Sequence, residues 1–302
     1  MGPFKVDGKI STEDPAVTLT RQYESVFSIP LRKFEDYKHK NFFFHDTQCV
    51  DCLEEKVHFC GEDMGLFQEK LFGYPLENFV FTKQDILRYF NKIEPNLSCG
   101  PDGLPGILFN KCGKALAGPV FKLWELSFEK GVVPKCMKNS LVVPTLKPGC
   151  DRADPGSYRP LSMTSHIIKT FERIIKEFLQ SHLETYGLLS DFQHGFRTNR
   201  SCLSQLLVFN EKILQILEEG DNADVIYLDL SKAFDRVDVG VLAHRLKASG
   251  IRGKMGKWLI NFLSDRKQNI VVNGKKGPDS FVGSGVPQGT VLGPILFLIV
   301  IQ

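Results

Sequence analysis

No apolar stretch in these 302 residues is long enough to cross a bilayer. The longest, Val291 to Ile301, is roughly half the ~20 residues a spanning helix needs, and it contains Gly293 and Pro294. The start, Met1-Gly2-Pro3-Phe4-Lys5-Val6, has neither the character of a signal peptide nor the later Ser or Thr of a myristoylation signal. No membrane partner is expected. Cysteine is present at positions 49, 52, 60, 99, 112, 136, 150 and 202, but without the regular spacing of a disulfide framework. Reduced thiols in an intracellular protein, nuclear or cytoplasmic, are the expectation. Internal repeats and low-complexity segments are absent as well. Strong net charge is also missing, the balance being only +3. That small number hides an asymmetry: residues 1–95 carry 12 Lys+Arg against 16 Asp+Glu, and residues 96–302 carry 26 against 19. A basic C-terminal two thirds suits a polyanionic partner.

What is present is a globular composition, 42% hydrophobic and 24% charged. Residues 1–95 are the least patterned, apart from a short capped helix announced by Thr82 and Asp85 ahead of Ile86, Leu87 and Phe90. The turn-forming block Ser98 to Pro105 ends this region. Ile167, Ile168, Phe171, Ile174, Ile175, Phe178, Leu179 and Leu183 recur at helical spacing between Ser165 and Tyr186, and Gly187 stops the run. A second helix is expected from about Ser201 to Glu219 on Leu203, Leu206, Leu207, Leu214 and Leu217, closed by Gly220. Both are expected to pack on a sheet. Val225 to Leu230 reads as a buried strand. Helices over Val239–Ser249 and Met255–Ser264 follow. Asn269–Val272, the Asn273-Gly274 turn and Ser280–Val282 then form a hairpin. Antiparallel strands interspersed with helices make the fold class α+β.

Strand alternation puts Asp229 at the end of one face with Val225 and Tyr227, while Ile226, Leu228 and Leu230 occupy the other. Such a carboxylate suits a metal-assisted phosphoryl-transfer site, with the Leu230 carbonyl as a further oxygen donor. On its own it serves equally well as a cap for the Ser-Lys-Ala-Phe turn after it. Asp235 reads as a local cap or ion-pair partner rather than a metal ligand. In Gly285-Val286-Pro287-Gln288-Gly289, the glycines permit close backbone approach and Pro287 stiffens the turn, so that Gln288 is presented with a free amide. Between Ile251 and Gly277 a basic cluster comprises Arg252, Lys254, Lys257, Arg266, Lys267, Lys275 and Lys276. Its phosphate contacts would make binding salt-dependent, although a solvated face explains it equally. Trp258, interleaved with it, reads as buried. His45, Cys49, Cys52, His58 and Cys60 match no zinc-knuckle spacing, so free thiols and surface histidines are preferred to a zinc site. A zinc-dependent interaction protein is the reading that such a site would support.

Leu228-Asp229-Leu230-Ser231-Lys232-Ala233-Phe234-Asp235-Arg236-Val237, followed by Gly285-Val286-Pro287-Gln288-Gly289-Thr290-Val291-Leu292-Gly293-Pro294, resembles the first two active-site motifs of reverse transcriptases of non-LTR (jockey-like) retrotransposons. The match is better than to group II intron maturases. Val142 to Gly149, Gly156 to Ser162, Gln193-His194-Gly195-Phe196-Arg197 and Gly100-Pro101-Asp102-Gly103 extend the resemblance. It covers about Ser98 to Val300. The resemblance implies an RNA-directed DNA polymerase acting by two-metal nucleotidyl transfer onto a primer 3′-hydroxyl. Mg²⁺ (or Mn²⁺), deoxynucleoside triphosphates, a template RNA and a primer DNA would be its cofactors and partners. Asp229 would be the first catalytic carboxylate and, with Leu230, a metal ligand. Lys147, Arg159, Phe234 and Gln288 would contact the nucleotide, Phe234 by excluding a 2′-hydroxyl. Gln193, Gly195, Arg197 and Gly289 would touch nucleic acid. The implied architecture is the fingers and part of the palm of a right-hand polymerase over 98–302, without a thumb, preceded by a connector over 1–97. The family's third motif, an aromatic-x-Asp-Asp turn, is not in the sequence. The chain alone is therefore expected to be a truncated, inactive and marginally soluble fragment with an exposed apolar tail. A catalytically dead nucleic-acid-binding remnant is the alternative.

Overall fold

The computed structural model describes residues 4–6, 9–27, 76 and 79–302. The zinc candidates at 45–60 lie outside them. A two-stranded ribbon, β1 (Lys5–Val6) and β2 (Lys9–Ile10), leads into α1 (Pro15–Phe27). Then follow α2 (Lys83–Asn91), α3 (Gly106–Lys130), β3 (Asn139–Leu146), β4 (Tyr158–Met163), α4 (His166–Thr185) and α5 (Cys202–Glu218). The chain continues through α6 (Val239–Ala248), α7 (Gly253–Leu263), β5 (Arg266–Val272), β6 (Lys275–Val282) and α8 (Gly293–Ile301).

The larger sheet has the order β4-β3-β5-β6, antiparallel except for the parallel β3–β5 pair, so the fold is a mixed helix-and-sheet one of the α+β kind. Asn273 and Gly274 sit at φ 50° and 77°, the left-handed pair that a two-residue hairpin turn requires. Thr82 and Asp85 form a reciprocal capping box at the start of α2. Gly187 and Gly220, both at positive φ, follow the ends of α4 and α5.

Two cores result. In the helical one, Trp124 of α3 lies flat on Phe171 of α4, ring centroids 4.7 Å apart, and Trp258 of α7 meets Phe171 edge-on at 5.2 Å. The Trp258 indole N–H donates to Ser127 Oγ at 3.0 Å, so this ring is buried, as its sequence context suggested. The smaller core joins α1 to the sheet through Phe4, Leu19, Tyr23, Val142, Tyr158 and Ile270. The acidic N-terminal stretch thus contributes a helix to the sheet's packing. Cys99, Cys112, Cys136, Cys150 and Cys202 are free thiols. Among the described residues no helix is long and apolar enough to cross a membrane.

Four expectations are corrected. Val225–Leu230 is neither a strand nor buried: Leu228 is 92% exposed, and the segment joins no ladder. An extended segment without a neighbour gains nothing over hydrogen bonding to water, so alternation alone does not make a strand. The apolar side of α5 is likewise uncovered, with Leu203, Leu206, Leu207, Leu214 and Leu217 all exposed. The apolar run after Pro294, expected to dangle, is the buried helix α8, whose Ile295, Leu296, Leu298 and Ile299 join the main core. Arg266, counted in the basic cluster, is fully buried at the start of β5 and lies over the Phe262 ring instead.

Candidate active site

The two sequence blocks separated by some fifty residues meet. The turn at Phe234–Arg236 and the loop at 284–290 are clamped by main-chain bonds from Gly285 N to Val237 O and from Val286 N to Phe234 O, both 2.8 Å. Ser284 Oγ donates to the Asp235 carbonyl at 3.0 Å, and Gln288 Nε2 donates to Asp235 Oδ1 at 2.9 Å. Gly285 has φ 86°, and a β-carbon there would come within 2.6 Å of the Asp235 carbonyl oxygen. Only glycine satisfies both conditions. On its other side the loop joins β4: Ser162 N donates to the Gln288 carbonyl at 2.8 Å, and a β-carbon at Gly289 (φ 97°) would sit 2.7 Å from Ser162 O.

β4 alternates buried and exposed residues, with Arg159 and Leu161 on the exposed face. Leu161 is the side chain against Gly289, so Arg159 belongs to the same sheet face as the Pro-Gln-Gly loop. Lys147 lies across the β3–β4 turn, its Nζ donating to the Gly156 carbonyl at 2.9 Å. Phe234 is half-buried, stacked on Phe297 of α8 at 4.4 Å and met edge-on by Phe196 at 5.8 Å. Arg159, Phe234, Gln288 and Gly289 therefore lie on or beside one loop, whereas Lys147 stands at the far end of the hairpin, bonded within its own turn.

Asp229 does not join them through a hydrogen bond or ion pair; it stands in the exposed 225–230 segment with Leu230. Among the described residues no cluster of three His, Cys, Asp or Glu could hold a metal ion. These residues do not fit a two-metal centre by themselves. Gln193 Nε2 donates to the Gly195 carbonyl, closing the turn before α5. Arg197 is engaged within the chain: it forms a forked pair with both Glu184 oxygens (2.5 and 3.1 Å) and donates to the Ser190 carbonyl. His194 bonds Ser204 Oγ at 2.7 Å, anchoring this turn to α5.

Asp235, expected as a local cap or ion-pair partner, is instead a buried acceptor for Gln288, and Glu172 had no role assigned from the sequence. Asp235 is 4% exposed, and burial raises its carboxyl above the ordinary range, opposed by the Gln288 hydrogen bond and by Lys232. Its negative charge adds to burial in raising the Tyr23 phenol of α1, whose buried hydroxyl has no partner among the described residues. Glu172 of α4 is fully buried, and its Oε2 accepts from Val291 N (2.7 Å) and Leu292 N (3.0 Å), capping α8 just past the loop. Burial raises Glu172, against those two amides and Arg266; burial lowers Arg266 to about 10, with Glu172 opposing. The available signal was positional: Glu172 interrupts the stripe Ile168, Ile175, Leu179 at helical spacing, where a carboxylate is tolerated only with a partner.

The family described as "Reverse transcriptase (RNA-dependent DNA polymerase)" matches residues 145–302, the span that contains every element just described around the loop. The RNA-directed DNA polymerase from mobile element jockey of Drosophila funebris is 29% identical over 222 residues, covering 72% of this chain and 24% of that protein. The probable RNA-directed DNA polymerase from transposon X-element of Drosophila melanogaster is 34% identical over 151 residues, covering 50% and 16%. A third relative, the probable RNA-directed DNA polymerase from transposon BS of the same fly, is 32% identical over 164 residues, covering 54% and 18%. The chain thus spans about a quarter or less of the length of these relatives. It belongs to the reverse transcriptase family and is a reverse transcriptase domain of the non-LTR retrotransposon kind.

Proposed function

We propose that this chain supplies the nucleotide- and template-contacting part of an RNA-directed DNA polymerase, built from the fingers and the adjoining portion of the palm. The observation that carries the reading is the convergence of the β3–β4 hairpin, the 234–237 turn and the Pro-Gln-Gly loop on Gln288. In this reading Arg159, exposed on the loop's side of β4, takes the triphosphate through its guanidinium fork, and Lys147 adds a point charge at the hairpin turn. The Phe234 ring, backed by Phe297, bars a 2′-hydroxyl. Gln193, Gly195, Arg197 and Gly289 border the strand path, Arg197 by holding the turn in shape. Asp229, with the Leu230 carbonyl, would be this chain's contribution to a Mg²⁺ site that the described residues do not complete. Residues 1–97 serve as the connector into this unit.

The lone position of Asp229 favours a second reading, nucleic-acid binding without catalysis. Fluorescence anisotropy with an RNA-template/DNA-primer duplex, together with Mg²⁺-dependent extension, separates the two. Salt-sensitive binding with extension abolished by Asp229→Ala supports the polymerase. Binding that survives Asp229→Ala with no extension in the parent supports the remnant. No binding at low salt refutes both.

A further inference from the structure

We propose that Asp235 is a positioning residue for Gln288, holding its amide so that Oε1 is offered outward as an acceptor to a hydrogen-bond donor of the bound nucleotide or template, not to a phosphate. The assignment of a nucleotide and template to this site rests on the polymerase reading above; the clamp itself does not. The 2.9 Å bond runs from Gln288 Nε2 to Asp235 Oδ1, the arrangement in which the carboxylate accepts and the amide's N–H end faces in. Oε1 is the other branch. It receives no hydrogen bond from the described residues, and it is not among the buried atoms left without a partner. Phosphate oxygens are acceptors and have nothing to give it. A sugar hydroxyl or a base N–H does.

The rest of the loop supports this geometry. The Gln288 main chain is pinned by Ser162 N, so the amide cannot swing with its backbone. The Asp235 main chain is pinned by Ser284 Oγ and bracketed by the two bonds from Gly285 and Val286. Asp235 is itself buried, and replacing Gly285 would drive a β-carbon into its backbone. Both ends of the side-chain bond are therefore held before any ligand arrives, the condition for an orienting contact.

The amide is tested directly on the 302-residue protein by ¹H–¹⁵N spectroscopy. The Gln288 side-chain NH₂ pair, assigned by its loss in Gln288→Leu, should show one proton protected from exchange. Protection should vanish in Asp235→Ala and persist in Asp235→Asn, whose carbonyl still accepts. Gln288→Glu places two carboxylates in contact and should lower primer–template affinity about 10-fold at neutral pH. Adding Asp235→Asn should restore most of it, because the Asn amide can donate to the introduced carboxylate. A merely structural Asp235 gives no such rescue. The ligand is identified by two arms read as affinity ratios in the primer–template complex: a deoxynucleotide against its 3′-deoxy analogue, and template guanosine against inosine, which lacks the groove-edge amino group. One ratio should collapse about 5-fold toward unity in Asp235→Ala and hold in Asp235→Asn. Protection unchanged in Asp235→Ala overturns the positioning role. Both ratios unchanged overturn the donor ligand. If the parent binds no primer–template, the polymerase reading and the donor ligand fall together, while the protection experiment still decides the role of Asp235.

Discussion

Replacing Glu172 isolates what a buried carboxylate does for the loop. In Glu172→Ala the N–H groups of Val291 and Leu292 lose their acceptor at 2.7 and 3.0 Å inside a sealed site, and Arg266 loses the negative charge that opposes its desolvation. Hydrogen bonds to a charged group contribute about 1.5–3 kcal/mol each, so a loss of about 3–5 kcal/mol is expected. At about 2.1 cal/mol/K per residue the unfolding entropy of a chain this long is about 0.6 kcal/mol/K, which translates to a fall in Tm of about 5–8 °C. Glu172→Gln keeps a carbonyl for the amides and removes only the charge, which burial disfavours, so it should cost less than about 1 kcal/mol. The sign with pH follows from burial. The folded state raises the Glu172 carboxyl, so its contribution is fully present below the unfolded value near 4.3 and is lost as pH rises through the folded one. The stability of the parent relative to Glu172→Gln should therefore decline over that window and then level. Thermal unfolding followed by circular dichroism reads all three quantities. A Glu172→Ala protein melting within about 1 °C of the parent, or a Gln variant as damaged as the Ala one, would refute the capping argument.

Gly285→Ala should destabilise by about 2–4 kcal/mol and raise amide exchange across 284–290, since it meets both a positive φ and the Asp235 backbone. An unchanged exchange pattern would remove the close-approach argument. Lys147→Ala and Arg159→Ala should each reduce the slope of log affinity against log salt by about 1 without altering preference among template sequences. Replacing Leu206 and Leu207 of α5 by Gln should change stability by less than about 0.5 kcal/mol each while reducing self-association in light scattering, because both are exposed. A large loss of stability would mean that α5 is covered in solution.

The sequence made elements legible where the signal was local and their packing legible only where partners exist. The Thr82–Asp85 cap, the Asn273-Gly274 turn and the glycine stops after α4 and α5 are decided by a few adjacent residues and occur as expected. Val225–Leu230 and α5 carry patterns just as clear, yet they bury nothing, because burial depends on a neighbouring surface. The same dependence worked the other way for Arg266 and Glu172. Both were charges with no local reason to be buried, and both are sealed by tertiary packing. At the site, the loop-forming glycines were legible from their chemistry. The pairing of Gln288 with Asp235 was not, since nothing local connects residues so far apart in the chain.

That pairing also explains why the loop tolerates so little freedom. It is tied to the 234–237 turn by two main-chain and two side-chain bonds, to β4 through Ser162, and through Glu172 to α4 at the start of α8. Phe297 of α8, one helix turn beyond that start, is the ring on which Phe234 rests. A shift of α8 along its axis would therefore move the Phe234 support and the Gln288 loop together. On the proposed reading, discrimination at the sugar and orientation of the amide would be mechanically one unit. Loosening the contact at Glu172 should then degrade both, whereas removing the Phe234 ring should affect the sugar alone. In primer extension with deoxy- and ribonucleotides, Phe234→Ala should change selectivity with the guanosine–inosine template ratio unaltered. Glu172→Gln should move the two readouts together, and independent movement would show that the loop and α8 are not coupled.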